Sequence, residues 1–342
     1  MLTAAVDDDG RRLDRILRKA LRDLPLSAIH RLLRKHAVLV NGKTAAADCR
    51  VRAGETITVT LDSLYPGNNL QSDFMGDFSK NKPIQISTDA FPEILFEGEG
   101  LLVLNKPAGI AVHGMENNKK GNAGKTSLET LVRSYLKPKL PPSLSFRPGP
   151  LHRLDKMSSG IIVFSAGLEG ARYFSALIRD RQIKKTYLAL VEGCIKKDEV
   201  WQDDLARDHE VKKTFTVKTA NAKIKREMKT VFKPALTRIK PLLINSAYTL
   251  IQAEIETGRT HQIRAQAAFH GHPLIGDIKY GAKPFEVSRD PPIADSFMLH
   301  AWRMQIPVGT SFLSIPNLIE APLPENFKRK IYELFGKNLD GL

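Results

Sequence analysis

Apolar residues near the start of the chain recur at helical intervals. Leu13, Ile16, Leu17, Ala20 and Leu21 fall on one stripe, which predicts a helix with a single buried face. Ile29, Leu32 and Leu33 repeat the spacing, and Ser27 stands where a cap for this second helix is expected. The period then shortens. Val38-Leu39-Val40 running into Asn41-Gly42-Lys43 predicts a strand entering a tight turn, and Thr56 to Leu61 predicts the next strand. Over 63–92 periodicity is lost among Pro66, Gly67, Asn68, Asn69, Gly76 and Pro83, so a linker is expected there.

A second core begins near Glu93. Ile94-Leu95-Phe96, a turn at Glu97–Gly100 and Leu101–Asn105 predict a strand pair. Ser127 is expected to cap a helix reaching Leu136, followed by a Pro-rich connection over 137–150. The run Ile161-Ile162-Val163-Phe164 predicts a buried strand, Leu168–Ile183 a helix, and Lys184–Val191 a strand with Tyr187 near its start. More strands are expected between Thr230 and Ile255. Strands and helices follow one another without a β-α-β rhythm, so the fold class is α+β around a mixed sheet. The expected organisation is a small module at 11–62, a linker at 63–92 and a larger domain at 93–332.

Charge changes this picture. The 342 residues carry a net charge of +15. Residues 11–55 alone hold twelve Lys and Arg against four acids, a net of +8. An excess of this size implies a polyanionic partner, nucleic acid or an anionic membrane surface. The apolar runs are too short to span a bilayer and residues 1–10 contain three consecutive Asp with no apolar stretch, so no signal peptide is expected and nucleic acid is the better partner. Cys49 and Cys194 form neither a disulfide framework nor a zinc spacing, which fits a reducing, cytoplasmic setting.

Two polar segments carry candidate chemistry. In His152-Arg153-Leu154-Asp155-Lys156-Met157-Ser158-Ser159-Gly160, one carboxylate lies on a basic turn ahead of a buried strand. Arg153 and Lys156 favour its charged form, available as nucleophile or base. About a hundred residues on lies Glu256-Thr257-Gly258-Arg259-Thr260-His261-Gln262-Ile263-Arg264. No Walker loop, dinucleotide glycine fingerprint or H-E-x-x-H is found, and His261, His270 and His272 have no Cys pair or carboxylate at ligand spacing, so neither cofactor nor metal is expected. A glycosidase would ordinarily need a second carboxylate beside the first.

Together the two segments resemble the signature motifs of the RluA family of RNA pseudouridine synthases, as does Asn105-Lys106-Pro107-Ala108-Gly109. Arg12-Leu13-Asp14, Arg31-Leu32-Leu33-Arg34-Lys35 and Val40-Asn41-Gly42-Lys43 resemble the S4 RNA-binding module. The resemblance covers about 11–62 and 93–332. It implies a cofactor-free isomerisation in which Asp155 is the essential aspartate, whether it attacks the ribose or the base or removes a ribose proton. It further implies that Tyr187 packs on the target base and assists at C5, that Arg264 pairs with the aspartate, and that Arg153 enters the stack the base has left. Arg31, Arg34 and Lys35 would meet RNA phosphates. The polar loop at 117–126, with Lys119, Lys120 and Lys125, reads from its own residues as either a phosphate-facing loop or an ordinary solvated one, and it is less familiar within the family. Leu274–Asp277, Tyr280-Gly281 and Leu299-His300-Ala301 match further family segments and read as scaffold. Ser158 stands where the family more often has Thr.

Within the family, the N-terminal module and Ala111-Val112-His113-Gly114 look most like the branch that modifies large-subunit ribosomal RNA. A monomer acting on RNA, or on ribosome assembly intermediates, is expected. The alternatives are a synthase for transfer RNA and a non-catalytic RNA-binding or assembly protein.

Overall fold

The computed structural model describes residues 1–21, 24–60, 91–114, 127–141, 143–208, 212–217, 232–283, 297–307 and 314–337. The loop at 117–126, and all of the 63–92 linker except Phe91 and Pro92, lie outside the described residues. Contacts divide the chain into two compact units. The first comprises Met1–Phe91, Glu129–Gly149 and Ser165–Ala171; the second comprises Pro92–Leu128, Pro150–Phe164 and Arg172–Leu342.

In the first unit, strands β1 (Leu2–Thr3) and β2 (Arg11–Arg12) precede helices α1 (Leu13–Ala20) and α2 (Leu26–Arg34), and β3 (Val38–Val40), β4 (Lys43–Thr44), β5 (Arg50–Val51) and β6 (Thr56–Val59) follow. One sheet has the order β1-β6-β3-β4, and β2 pairs with β5. Leu13, Ile16 and Leu17 of α1 and Ile29 and Leu32 of α2 are buried with Val38, Val51 and Ile57, as the helical stripes require. The residue capping α2 is Pro25, not Ser27. Its ring fixes φ at −65° and its carbonyl accepts the N–H groups of Ala28 and Ile29, so the helix starts one residue before the serine could cap it. Asn41 and Gly42 both have positive φ, as a two-residue hairpin turn demands.

Asp8 is an anchor the hydrophobic pattern does not reveal. Fully buried, its carboxylate accepts hydrogen bonds from the backbone of Ala5, Leu144 and Ser145 and from the Ser145 hydroxyl. Four donors offset the cost of burying the charge and fasten the 143–146 segment to the chain's beginning.

The second unit is built on a mixed sheet. Its strands are β7 (Glu93–Gly98), β8 (Leu101–Lys106), the short β9 (Gly149–Pro150), β10 (Ser159–Ser165), β11 (Lys184–Glu192), β12 (Glu199–Asp208), β13 (Lys213–Thr216), β14 (Lys233–Ile244), β15 (Tyr248–Ile255), β16 (Leu299–Gln305) and β17 (Leu318–Glu320). The order is β13-β12-β14-β15-β11-β16-β10-β8-β7, with β9 on β10 and β17 on β16. Helices α5 (Gln262–Phe269) and α6 (Glu325–Phe335) belong to this unit; of the other two, α3 (Leu128–Leu136) falls in the first unit but for its first residue, and α4 (Leu168–Arg179) is divided after Ala171. All of β10 is buried, which explains its unbroken apolar run. Helix α4 ends before the expected Ile183, because Arg181 takes a positive φ and Gln182 bonds back to Leu177.

Strands β10 and β16 run parallel, with Gly160 opposite Ala301. Gly160 has φ of +103°, and a Cβ there would lie 2.2 Å from the Ala301 carbonyl oxygen. The strand after the Asp155 turn can therefore take its place only through glycine. Gly160→Ala is expected to cost roughly 3 kcal/mol or more, from overpacking and strained φ together. Gly271→Ala, at φ +85° in open space, should cost only about 1 kcal/mol. Urea unfolding of both variants measures the difference; equal losses would mean that strand proximity is not the constraint.

Candidate active site

Asp155 lies in the turn that enters β10, its carbonyl accepting the Ser158 N–H at 3.1 Å. Lys106, at the end of β8, is wholly buried beneath this turn. Its Nζ donates to the carbonyls of Pro107, Lys156 and Ser158 at 2.8, 3.0 and 2.7 Å. Three donors meet three acceptors, and two of those follow Asp155 within three residues. Burial pulls the Lys106 ammonium down to about 7, and the negative charge of Asp155 opposes the fall. His152 fixes the other side of the turn. Its Nε2 accepts the Val163 N–H at 3.1 Å and its ring stacks on Phe174 at 6.3 Å. Burial, with help from Lys185, pushes its pKa down to about 3, so the ring is neutral, as an accepting Nε2 requires.

Arg264 on α5 holds the carboxylate. The pairing with Asp155 is a single bond, and the planar fork closes on Asp277. Arg264 Nε and Nη2 donate to the two oxygens of Asp277 at 2.7 and 2.8 Å, and the remaining Nη1 donates to Asp155 Oδ2 at 3.1 Å. Asp277 is fully buried and Arg264 is 5% exposed. The guanidinium also lies 4.0 Å from the Phe297 ring centroid and 5.0 Å from that of Tyr280. Its direction is thus set before it reaches Asp155.

The Thr257–Arg264 segment is pinned by Gln262. The Gln262 carbonyl oxygen accepts from the Thr257 hydroxyl and the Arg259 N–H, while its amide donates to the Leu236 carbonyl and the Thr237 hydroxyl on β14. With the loop fastened, His261 sits at the α5 N-cap in the left-handed region, φ 54° and ψ 26°. A non-glycine residue there is uncommon and demands support from its surroundings. The His261 Nε2 lies 3.7 Å from Asp155 Oδ1. Burial above all, with Arg264, Arg207 and Lys279, lowers its pKa to about 4 despite Asp155, so the two do not form an ion pair at neutral pH.

Tyr187 lies on β11, opposite Ala253 of β15 and Ala301 of β16. The β11–β16 register shifts between Thr186 and Tyr187, an irregularity that re-aims a side chain. Burial first, and Asp155 second, raise the phenol's pKa above its ordinary value, so it keeps its proton. Asp155, Tyr187, His261 and Arg153 line a cleft of 470 Å³, and exposed Arg181, Arg179 and partly buried Lys185 and Arg259 complete a basic wall around it. Such a volume accommodates one nucleotide-sized ligand. Among the described residues, no group of three His, Cys, Asp or Glu is placed to hold a metal.

The structure therefore brings together Asp155, Tyr187, Arg264 and Arg153. Arg31, Arg34 and Lys35 lie on the first unit, exposed at the end of α2. Asp277 and Tyr280, scaffold by their sequence segments, and Lys106 and His261, to which the sequence motifs assign no part, all belong to this site. A buried Lys ahead of Pro-Ala-Gly was the available signal for Lys106; nothing in the local pattern announces that Asp277 returns to Arg264.

Asp277→Asn removes half of a buried ion pair and should destabilise the protein by about 3–5 kcal/mol. Lys106→Met leaves buried carbonyls without donors and should cost roughly 3 kcal/mol. Denaturant midpoints measure both, and a change below about 0.5 kcal/mol, typical of surface sites, would contradict either assignment.

The family described as RNA pseudouridylate synthase matches residues 100–269 of this chain. Ribosomal large subunit pseudouridine synthase C of Vibrio parahaemolyticus is 31% identical over 329 residues, 93% of each chain. Ribosomal large subunit pseudouridine synthase D of Nitrosomonas europaea is also 31% identical, over 93% of this chain and 82% of its own. The solved structure of human RNA pseudouridylate synthase domain containing 4 superimposes with a TM-score of 0.50 at 20% identity, covering 70% of this chain and 92% of that one, a likeness of fold. A sheet of this kind, an aspartate turn held by a buried arginine, and similarity along nearly the entire length lead to one conclusion: the chain belongs to the RNA pseudouridylate synthase family.

Proposed function

We propose that this enzyme isomerises uridines of large-subunit ribosomal RNA at the Asp155 cleft. The observation that carries the reading is a partly buried carboxylate, held on one oxygen by a prearranged arginine, facing a nucleotide-sized basic cleft. Isomerisation breaks the bond from uracil N1 to the ribose, turns the base and joins C5 to the ribose. The C5 proton leaves and N1 gains one, so atoms and electrons balance without a redox partner. In this reading Asp155 Oδ1, the oxygen Arg264 leaves open, faces the reacting sugar or base. Tyr187, a neutral phenol, packs on the uracil. Arg153, exposed at the cleft, fills the stack from which the base is extruded.

The remaining basic groups supply affinity. Arg179, Arg181, Lys185 and Arg259 suit phosphates flanking the extruded nucleotide. Arg179 already pairs with Asp180, but both are exposed and such pairs hold weakly, so a phosphate can displace the carboxylate. The two helices and small sheet of the first unit, with Arg31, Arg34 and Lys35 outward, support an S4-type RNA-binding role. The ribosomal target rests on the relatives, which are named for the large ribosomal subunit. We infer a cytoplasmic monomer working on ribosomal RNA or its assembly intermediates; no helix among the described residues is long and apolar enough to cross a membrane.

Asp155→Asn should abolish tritium release from C5-labelled RNA while RNA binding stays within a few-fold. Multiple turnover by that variant would overturn the site. Arg264→Lys should reduce turnover at least ~10-fold, about 1.4 kcal/mol in the barrier, because an ammonium cannot serve both carboxylates in a plane. Reversing the charge of Arg31, Arg34 and Lys35 should flatten the salt dependence of binding by roughly 0.7–0.9 of a slope unit per lost contact, leaving single-turnover chemistry intact. An unchanged slope would place the RNA on another face. Mapping pseudouridine in cells without the gene tests the target: sites lost only from transfer RNA would contradict it.

A further inference from the structure

We propose that His261 is a positioning residue for Asp155, its imidazole locked by Tyr280 in the tautomer that points an N–H at the aspartate's open oxygen. This rests on the reading of Asp155 given above. The Tyr280 hydroxyl accepts the backbone N–H of Thr214 at 2.9 Å and lies 2.9 Å from His261 Nδ1, with the two rings edge to face. A phenol has one proton to give. Among the described residues that proton has Nδ1 beside it and the Thr214 hydroxyl, which itself donates to the Thr260 carbonyl. The opposite assignment, with Nδ1 protonated, would place two donors on the phenol oxygen and send its own proton to Thr214. It would also turn the Nε2 lone pair toward the Asp155 carboxylate, where the two would repel.

With Nδ1 accepting, the neutral ring carries its proton on Nε2. That nitrogen faces Asp155 Oδ1 at 3.7 Å, too far for a hydrogen bond in the free protein. A closure of under about 1 Å makes one, and such contacts commonly tighten when substrate fills the site. The two carboxylate oxygens are therefore inequivalent. Oδ2 is bound to a charged guanidinium and stays put. Among the described residues Oδ1 faces a neutral donor, which on that closure can orient it without drawing off the negative charge the chemistry needs. The left-handed backbone of His261 aims the ring between Tyr280 and Asp155, and the Thr214 hydroxyl bond to the Thr260 carbonyl at 2.8 Å steadies the preceding residue.

Two measurements test this. Nitrogen-15 NMR of histidine-labelled protein reads the tautomer directly and independently of activity: a protonated Nε2 on His261 is expected, and a protonated Nδ1 overturns the proposal. The second is a double-mutant cycle on the single-turnover rate, with RNA affinity measured in parallel. His261→Ala should slow the chemical step at least ~10-fold with affinity within a few-fold, and His261→Gln, which keeps a donor at the same reach, should recover most of that loss. Tyr280→Phe should slow the wild-type enzyme yet have little further effect in the His261→Gln background, where no tautomer remains to be fixed. Equal effects of Tyr280→Phe in both backgrounds would make Tyr280 purely structural and overturn the relay, as would full activity of His261→Ala. Neither result touches the assignment of Asp155, which stands or falls on the Asp155→Asn variant.

Discussion

One guanidinium fixes the geometry on which the second unit's chemistry depends. Arg264 bridges two carboxylates that lie far apart in the chain, one at the entrance to β10 and one beyond α5. Burying an unpaired arginine would be prohibitive, and burying Asp277 without it equally so. The fork onto Asp277 satisfies both and leaves a single N–H for Asp155. Asp155 thereby gains a fixed partner without becoming half of a closed ion pair, which would tie up both its oxygens. The aromatic faces of Phe297 and Tyr280 close over the guanidinium.

The surrounding residues follow a common rule: they hold the turn and loop by neutral or fully matched hydrogen bonds, leaving the negative charge to Asp155. Lys106 spends its donors on backbone carbonyls. His152 and His300 are both kept neutral by burial. The first accepts from Val163; the second meets the Ser159 hydroxyl at Nδ1 and the Ala321 carbonyl at Nε2. Gly160 lets β10 approach β16 so closely that the turn before it has little freedom. Exposed cations, by contrast, gather around the cleft and on α2, where they can exchange water for phosphate.

Much of this was legible in the sequence, and for identifiable reasons. The helical stripes of α1 and α2, the Asn41-Gly42 turn, the buried run of β10 and the mixed sheet all follow from local spacing, which carries its own structural consequence. Asp155, Tyr187 and Arg264 were picked out by resemblance, and the structure places them around one cleft. What the sequence hid were partnerships over long separations. Asp277 reaches back to Arg264, Asp8 reaches forward to Ser145, and Lys106 sits beneath a turn fifty residues on. Each is a buried charge whose partner is decided by tertiary packing, and no periodicity encodes such a choice. The Ser27 cap failed for a different reason: the proline two residues earlier already supplied the geometry a cap provides.

Everything proposed for this site requires that Asp155 Oδ1 face the reacting nucleotide in the basic cleft. A structure of the Asp155→Asn protein bound to an RNA substrate tests it most directly. The expected result is a uridine drawn out of its stack, its base against Tyr187 and its ribose next to residue 155 on the side away from Arg264. A target nucleotide bound outside the cleft, or seated with its sugar turned toward the Arg264 side of residue 155, would contradict it.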